Sequence, residues 1–144
     1  MAVLPGPFSA SHFLVDLGDG ATARGFAQVV FPEFSSERPG LSGDPLILRR
    51  AATGGLELYR WWEESRTQMA SSRPVRIDRM ATPAPNALRD VRVMLMPPDH
   101  AAPLLTWRFV SARPVSLGYS PLDANSPSIL FETVTLAFER LEME

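Results

Sequence analysis

The chain has 144 residues, 45% hydrophobic and 21% charged, with a formal net charge of −2, the make-up of one globular domain large enough to bury a core. It contains no cysteine, which excludes disulfides, thiolate metal sites and cysteine nucleophiles. Its two histidines, His12 and His100, are too few for a histidine-rich metal centre, and its 14 basic residues are all arginine. They are scattered, which reads as the codon bias of a GC-rich genome and not as a nucleic-acid or acidic-membrane surface.

Residues 1–11 read as a flexible N-terminal arm. The opening apolar run stops at Pro5 and has no basic residue before it, so a secretory signal is not expected and the chain should start in the cytoplasm. The apolar runs are too short and too broken to cross a membrane, and no membrane binding is expected of the chain by itself.

The first predicted strand is HFLVDL (12–17), in which Phe13, Val15 and Leu17 alternate with more polar residues; GDG (18–20) reads as a hairpin turn. GFAQVVF (25–31) is a second strand. PEFSSERPGLSGD (32–44) is a polar loop of 13 residues with two prolines and two glycines. PLILRR (45–50) is a third strand, with Pro45 at its start where a missing N–H does least harm.

One helix follows, beginning in GLELYRWWEESR (55–66) and running towards SSRP (71–74). Thr53, Gly54 or Gly55 serves as its cap, Glu57 suits the first turn, and Pro74 stops it. Leu58, Trp61, Trp62, Ser65 and Met69 share one face at helical spacing. Paired tryptophans can form a sugar platform, a membrane anchor or a contact site, but alignment with Leu58 and Met69 favours a helix laid across a sheet, with Leu58, Trp61, Trp62 and Met69 as its core face. Tyr59 points away and is free to meet a partner.

Residues 73–90 form a proline- and arginine-containing surface connector. VRVMLM (91–96) alternates again, PPDHAAP (97–103) is a turn, and LLTWRFV (104–110) and RPVSLGY (113–119) are two further strands. SILFETVTLAFERLE (128–142) is the longest predicted element, a strand by its Thr133-Val134-Thr135 centre. Leu130, Val134, Leu136 and Phe138 fall on one face and Ile129, Phe131 and Ala137 on the other. A strand apolar on both faces needs cover on both, from the helix or from another subunit. Glu132, Thr133 and Thr135 interrupt it, either as solvent-facing positions or as residues that touch a neighbouring chain or line a wet channel. Glu132, between Leu130 and Val134, calls for an arginine partner, Arg108 or Arg113, and is expected to matter more to assembly than to the protomer.

Nothing in the sequence calls for catalysis, a cofactor or a metal. There is no GxSxG elbow around which His12 could act and no Walker motif. Glu63 and Glu64 are adjacent on a helix and point apart.

The order of signatures is more specific than any one of them. It runs FLVDLGDG, GFAQVVF, PLILRRAATGGLELYRWWEESR, TWRFVSARPVSLGYSPLDANSPSI and LFETVTLAFERLE, and it closely resembles the gp19-like tube proteins of contractile phage tails and contractile injection systems, from Phe13 to Leu141. The resemblance implies a mainly β fold, an antiparallel β-sandwich or barrel with one flanking helix. It also implies hexameric rings, joined edge to edge and stacked into a hollow tube that carries DNA or protein effectors inside a contractile sheath above a baseplate. Such a tube would belong to a phage tail or to an injection particle, released extracellularly in some cases.

Two features depart from the family pattern, the short 32–44 loop and the long 73–90 connector, and they keep open a tube-initiating or baseplate-adaptor ring. Long polar loops are commonly functional, so Glu33, Phe34, Glu37, Arg38, Leu41 and Asp44 are candidate inter-subunit contacts, together with Tyr59, Ile129, Phe131, Glu132, Thr133 and Thr135. A passive surface loop is the plainer reading. The alternative of another class is a monomeric β-barrel holding a small apolar ligand against Trp107 and the methionines.

Overall fold

The computed structural model describes residues 7–19, 25–33, 44–71 and 87–144, with side chains of the helix described as far as Arg66. Among the described residues are seven strands and one helix, in the order β1 (Phe13–Asp16), β2 (Phe26–Val30), β3 (Leu46–Ala51), α1 (Glu57–Ser71), β4 (Arg89–Leu95), β5 (Leu105–Tyr119), β6 (Phe131–Ala137) and β7 (Arg140–Met143). All pairings are antiparallel. β1, β4, β5 and β7 form one sheet, β2, β3, β6 and β5 the other, so that β5 serves both. The fold is a mainly β, antiparallel sandwich with one helix.

Strand periodicity explains the core. In β3, Leu46, Leu48 and Arg50 are buried while Ile47, Arg49 and Ala51 are half-buried. In β6, Glu132, Val134 and Leu136 are the buried set. Register aligns the two sets, Leu46 opposite Leu136, Leu48 opposite Val134 and Arg50 opposite Glu132, since a period of two leaves no other way to keep both apolar sets inside. Val15, Val91, Val93, Phe109 and Ala112 face them from the first sheet, and Leu58 and Trp61 join from α1, in one continuous core.

The pairing corrects several expectations. GDG does not close a hairpin, because β1 pairs with β4 and β2 with β3. Gly18 (φ +73°) is instead packed on β4, where a Cβ would lie 2.6 Å from the Asp90 carbonyl oxygen, a site only glycine fills. The helix begins later than the proposed caps: Arg60 N–H donates to the Leu56 carbonyl at 2.9 Å, so Leu56 holds the cap position and Thr53 Oγ1 only reaches Gly55 N at 3.4 Å. The connector ends before residue 90, with Ala87 fully buried and Arg89 and Asp90 already in β4; residues 72–86 lie outside the described residues. Phe138 and Glu139 divide the last predicted strand into β6 and β7.

The two strands expected at 104–110 and 113–119 are one strand of 15 residues, the longest in the fold. Ser111 bends it with a positive φ of 55°, opposite a register shift between Arg89 and Val91. That conformation is unfavourable for a non-glycine residue, and it is held by the Asp90 carboxylate, which accepts the Ser111 N–H at 3.1 Å. The bend carries β5 from one sheet into the other, as bulges do at the corners of sandwiches.

Candidate functional site

Three surfaces combine chemistry with exposure. The first is a lateral row across the second sheet. Phe26, Arg50, Glu132 and Tyr119 are successive cross-strand partners on β2, β3, β6 and β5. Arg50 and Glu132 are 6% and 4% exposed and joined at 2.5 Å from Nε to Oε1. Glu57, from the first turn of α1, pairs with Arg50 Nη1 at 2.8 Å, and the Arg50 guanidinium lies over the Phe26 ring at 5.5 Å. The partner of Glu132 is therefore Arg50, and neither Arg108 nor Arg113. The row ends in exposed Tyr119, on the stretch of β5 whose other edge pairs with no strand among the described residues.

On the opposite side of the same sheet Phe131, Thr133 and Thr135 are half-buried. Arg49 covers Phe131, its guanidinium 3.8 Å from the ring centre. Thr133 pairs across to Gly118 and Thr135 to Ser116, and this partly solvent-open face also carries Ile47 and Arg49 from β3 and, opposite Ala137, Arg113 from β5.

The second surface is a charged ladder on the first sheet. Asp16, Arg92, Arg108 and Glu142 are cross-strand partners on β1, β4, β5 and β7. Arg108 binds Asp90 Oδ2 through Nη2 at 2.5 Å and Nε at 3.2 Å and Glu142 through Nη1 at 3.0 Å. Arg140 also binds Glu142, at 2.7 Å, and Arg92 binds Glu144 at 2.9 Å. The side-chain hydrogen bond from Arg108, and after it the Ser111 N–H, hold the Asp90 carboxyl below the usual aspartate range. A folded pKa below the unfolded one, about 3.9, gives stability that is present at neutral pH and lost as the pH falls through the folded value. Asp90→Asn is therefore expected to lower stability at pH 7 and to reduce the further loss on acidification below about pH 4. Urea melts at pH 7 and pH 3 check this; equal acid loss in both proteins would show that the Arg108 contact contributes nothing.

The third surface is the segment between β5 and β6. Ile129 is exposed there, as is Leu122, a residue sequence reasoning passed over.

Of the remaining predicted contacts, Glu33 and Asp44 are exposed at the two ends of the 32–44 loop; Phe34, Glu37, Arg38 and Leu41 lie outside the described residues. Tyr59 is exposed and rests beside the Trp62 ring at 6.2 Å. On the helix core face Leu58 and Trp61 are each 1% exposed, and Trp61 Nε1–H donates to the Ala87 carbonyl at 2.9 Å. Trp62 is half-buried with Arg66 over its ring at 5.3 Å. The side chain of Met69 lies outside the described residues. Trp107 packs on Phe31 at 4.7 Å between ring centres and against the core. His12 and His100 meet edge to face at 5.9 Å, an encounter invisible in a sequence that separates them by 88 positions.

Chains of several solved assemblies share this fold. A chain of an extracellular contractile injection system, the PVC sheath–tube complex in its extended state, is similar with a TM-score of 0.71 at 22% identity, over 96% of this chain and 91% of that one. A chain of the PVC sheath/tube terminator is similar with a TM-score of 0.72 at 22% identity, over 99% of both. A chain of the anti-feeding prophage cap, the tube-terminating cap, is similar with a TM-score of 0.70 at 18% identity, over all of this chain and 95% of that one. At these identities the likeness is one of fold. No curated protein matches the sequence. The family follows from sequence: the model of the T4-like virus tail tube protein gp19 matches residues 39–142, and the chain belongs to that family. It is a structural subunit of a tail tube.

Proposed function

We propose that this subunit forms hexameric rings that stack into the hollow inner tube of a contractile tail or injection system, within a sheath and on a baseplate. DNA or a protein effector is its cargo, and its role is structural, without catalysis. Assembly takes place in the bacterial cytoplasm, and the tube leaves as part of the particle. The observation that carries this reading is the free edge of β5. Residues 113–119 pair with β6 on one side and with no strand among the described residues on the other, beside exposed Val115 and Tyr119. An unpaired edge is an aggregation hazard in a monomer and a joint in a ring. The face of Thr133 and Thr135 is suited to a wetted lumen, and Tyr59, Ile129 and Phe131 to contacts between copies.

Native mass spectrometry of the purified chain tests the ring: a hexamer mass is expected, and a monomer at every concentration would favour the ligand-carrier alternative. The likeness to a terminator and a cap favours a second reading, an end ring of the same machine, which would form hexamers that do not stack.

The 32–44 loop belongs to the stacking contact on this reading, where weak polar contacts repeat around the axis and add up. Replacing residues 34–43 with a short Gly/Ser linker should leave circular dichroism and the thermal melt unchanged while shortening or abolishing tubes. Tubes of normal length would move the stacking surface elsewhere, first to the 73–90 connector.

A further inference from the structure

Between Tyr119 and Phe131 the chain leaves the sandwich in an arm, residues 120–130. Every residue from Pro121 to Ile129 is exposed, yet the arm has a defined shape. At its base Ser120 N–H donates to the Phe131 carbonyl at 2.9 Å and Phe131 N–H to Ser120 Oγ at 2.8 Å. At its tip Asp123 accepts Asn125 N–H on Oδ1 at 2.9 Å and Ser126 N–H on its carbonyl at 3.0 Å. Ala52 N–H ties the return limb through the Leu130 carbonyl at 2.8 Å, and Pro121 and Pro127 restrict the backbone further.

This preshaped arm presents Leu122 and Ile129, 86% and 64% exposed, the two most exposed large hydrophobic side chains among the described residues. Its one charge is Asp123, so it has no means of holding phosphates. A loop already ordered, offering two aliphatic side chains to water, loses little entropy when a contact forms. We propose that the arm docks onto a second copy of this chain, with Leu122 and Ile129 as its buried anchors. The partner is a second copy because the arm is rooted on the stretch of β5 whose outer edge pairs with no strand among the described residues, where a neighbour would stand, and because the chain itself offers an apolar seat at the start of α1, where Leu56 and Tyr59 are exposed. The inference rests on the tube-subunit reading, in which copies stand side by side.

The test uses Leu122→Ser/Ile129→Ser, and separately Leu122→Cys carrying an environment-sensitive dye, a clean label in a chain without cysteine. The double variant should keep the wild-type melt, because both side chains lie in water in the protomer, and should need about tenfold or more higher concentration to assemble in sedimentation velocity. The dye should shift to the blue as the labelled chain assembles. Wild-type assembly by the double variant, or an unchanged dye, overturns the arm alone. A melt lowered by several degrees also overturns it, by placing the anchors within the protomer. A wild-type chain that never assembles overturns the tube reading and the arm with it.

Discussion

Replacing Trp61 by alanine is expected to destabilise the protomer by about 3–5 kcal/mol, the usual loss for a large core aromatic. The indole is 1% exposed, shares the core with Leu58, Phe109 and Ala112, and has the Arg89 guanidinium 4.7 Å from its ring centre. Its removal leaves a cavity and also strands the Ala87 carbonyl that accepts its N–H, a buried acceptor whose loss of a partner adds to the cost. Trp62→Ala is the control. Half-buried beside Tyr59 and Arg66, it should cost about 1 kcal/mol, the centre of the range for ordinary substitutions. Equilibrium denaturation of both variants separates the two tryptophans; equal losses would contradict the assignment of Trp61 to the core and Trp62 to its border.

Glu132→Ala should be the second severe change, costing about 3 kcal/mol, at the low end for a broken buried ion pair. The low end applies because Glu57 remains to neutralise Arg50. The burden on the site is already high: Arg50 Nη2 is buried without a hydrogen-bond partner among the described residues, so the network is only partly satisfied before the mutation. Because Glu132 pairs within its own protomer, the effect falls on protomer stability and not first on assembly. Arg50→Met combined with Glu132→Leu should restore much of the loss, since a pair replaced by apolar groups leaves no uncompensated charge. A double variant no more stable than Glu132→Ala would show that the ion pair is not the source of the cost.

The local periodicities were legible: β1, β3, β4 and the helix face around Leu58 and Trp61 follow from spacing alone, and the order of motifs carried the family. The departures share a physical cause, which is that pairing between distant strands is not written in either strand. Arg50 could not be assigned to Glu132 without knowing that β3 lies beside β6, 82 positions away. The continuity of β5 depends on Ser111 taking a left-handed conformation that a side chain on β4 stabilises, where sequence rules place a strand end. GDG has the composition of a hairpin turn, and Gly18 serves close packing against β4 instead. Leu122 was missed because an isolated leucine in a loop carries no periodic signal, and only its exposure in the fold marks it out.

Electron microscopy of the purified wild-type chain in negative stain, over a range of concentrations, tests the tube reading most directly. Sixfold rings in end view, and their stacks in side view, are the predicted result. A chain that remains a dispersed monomer at the highest concentration would contradict it.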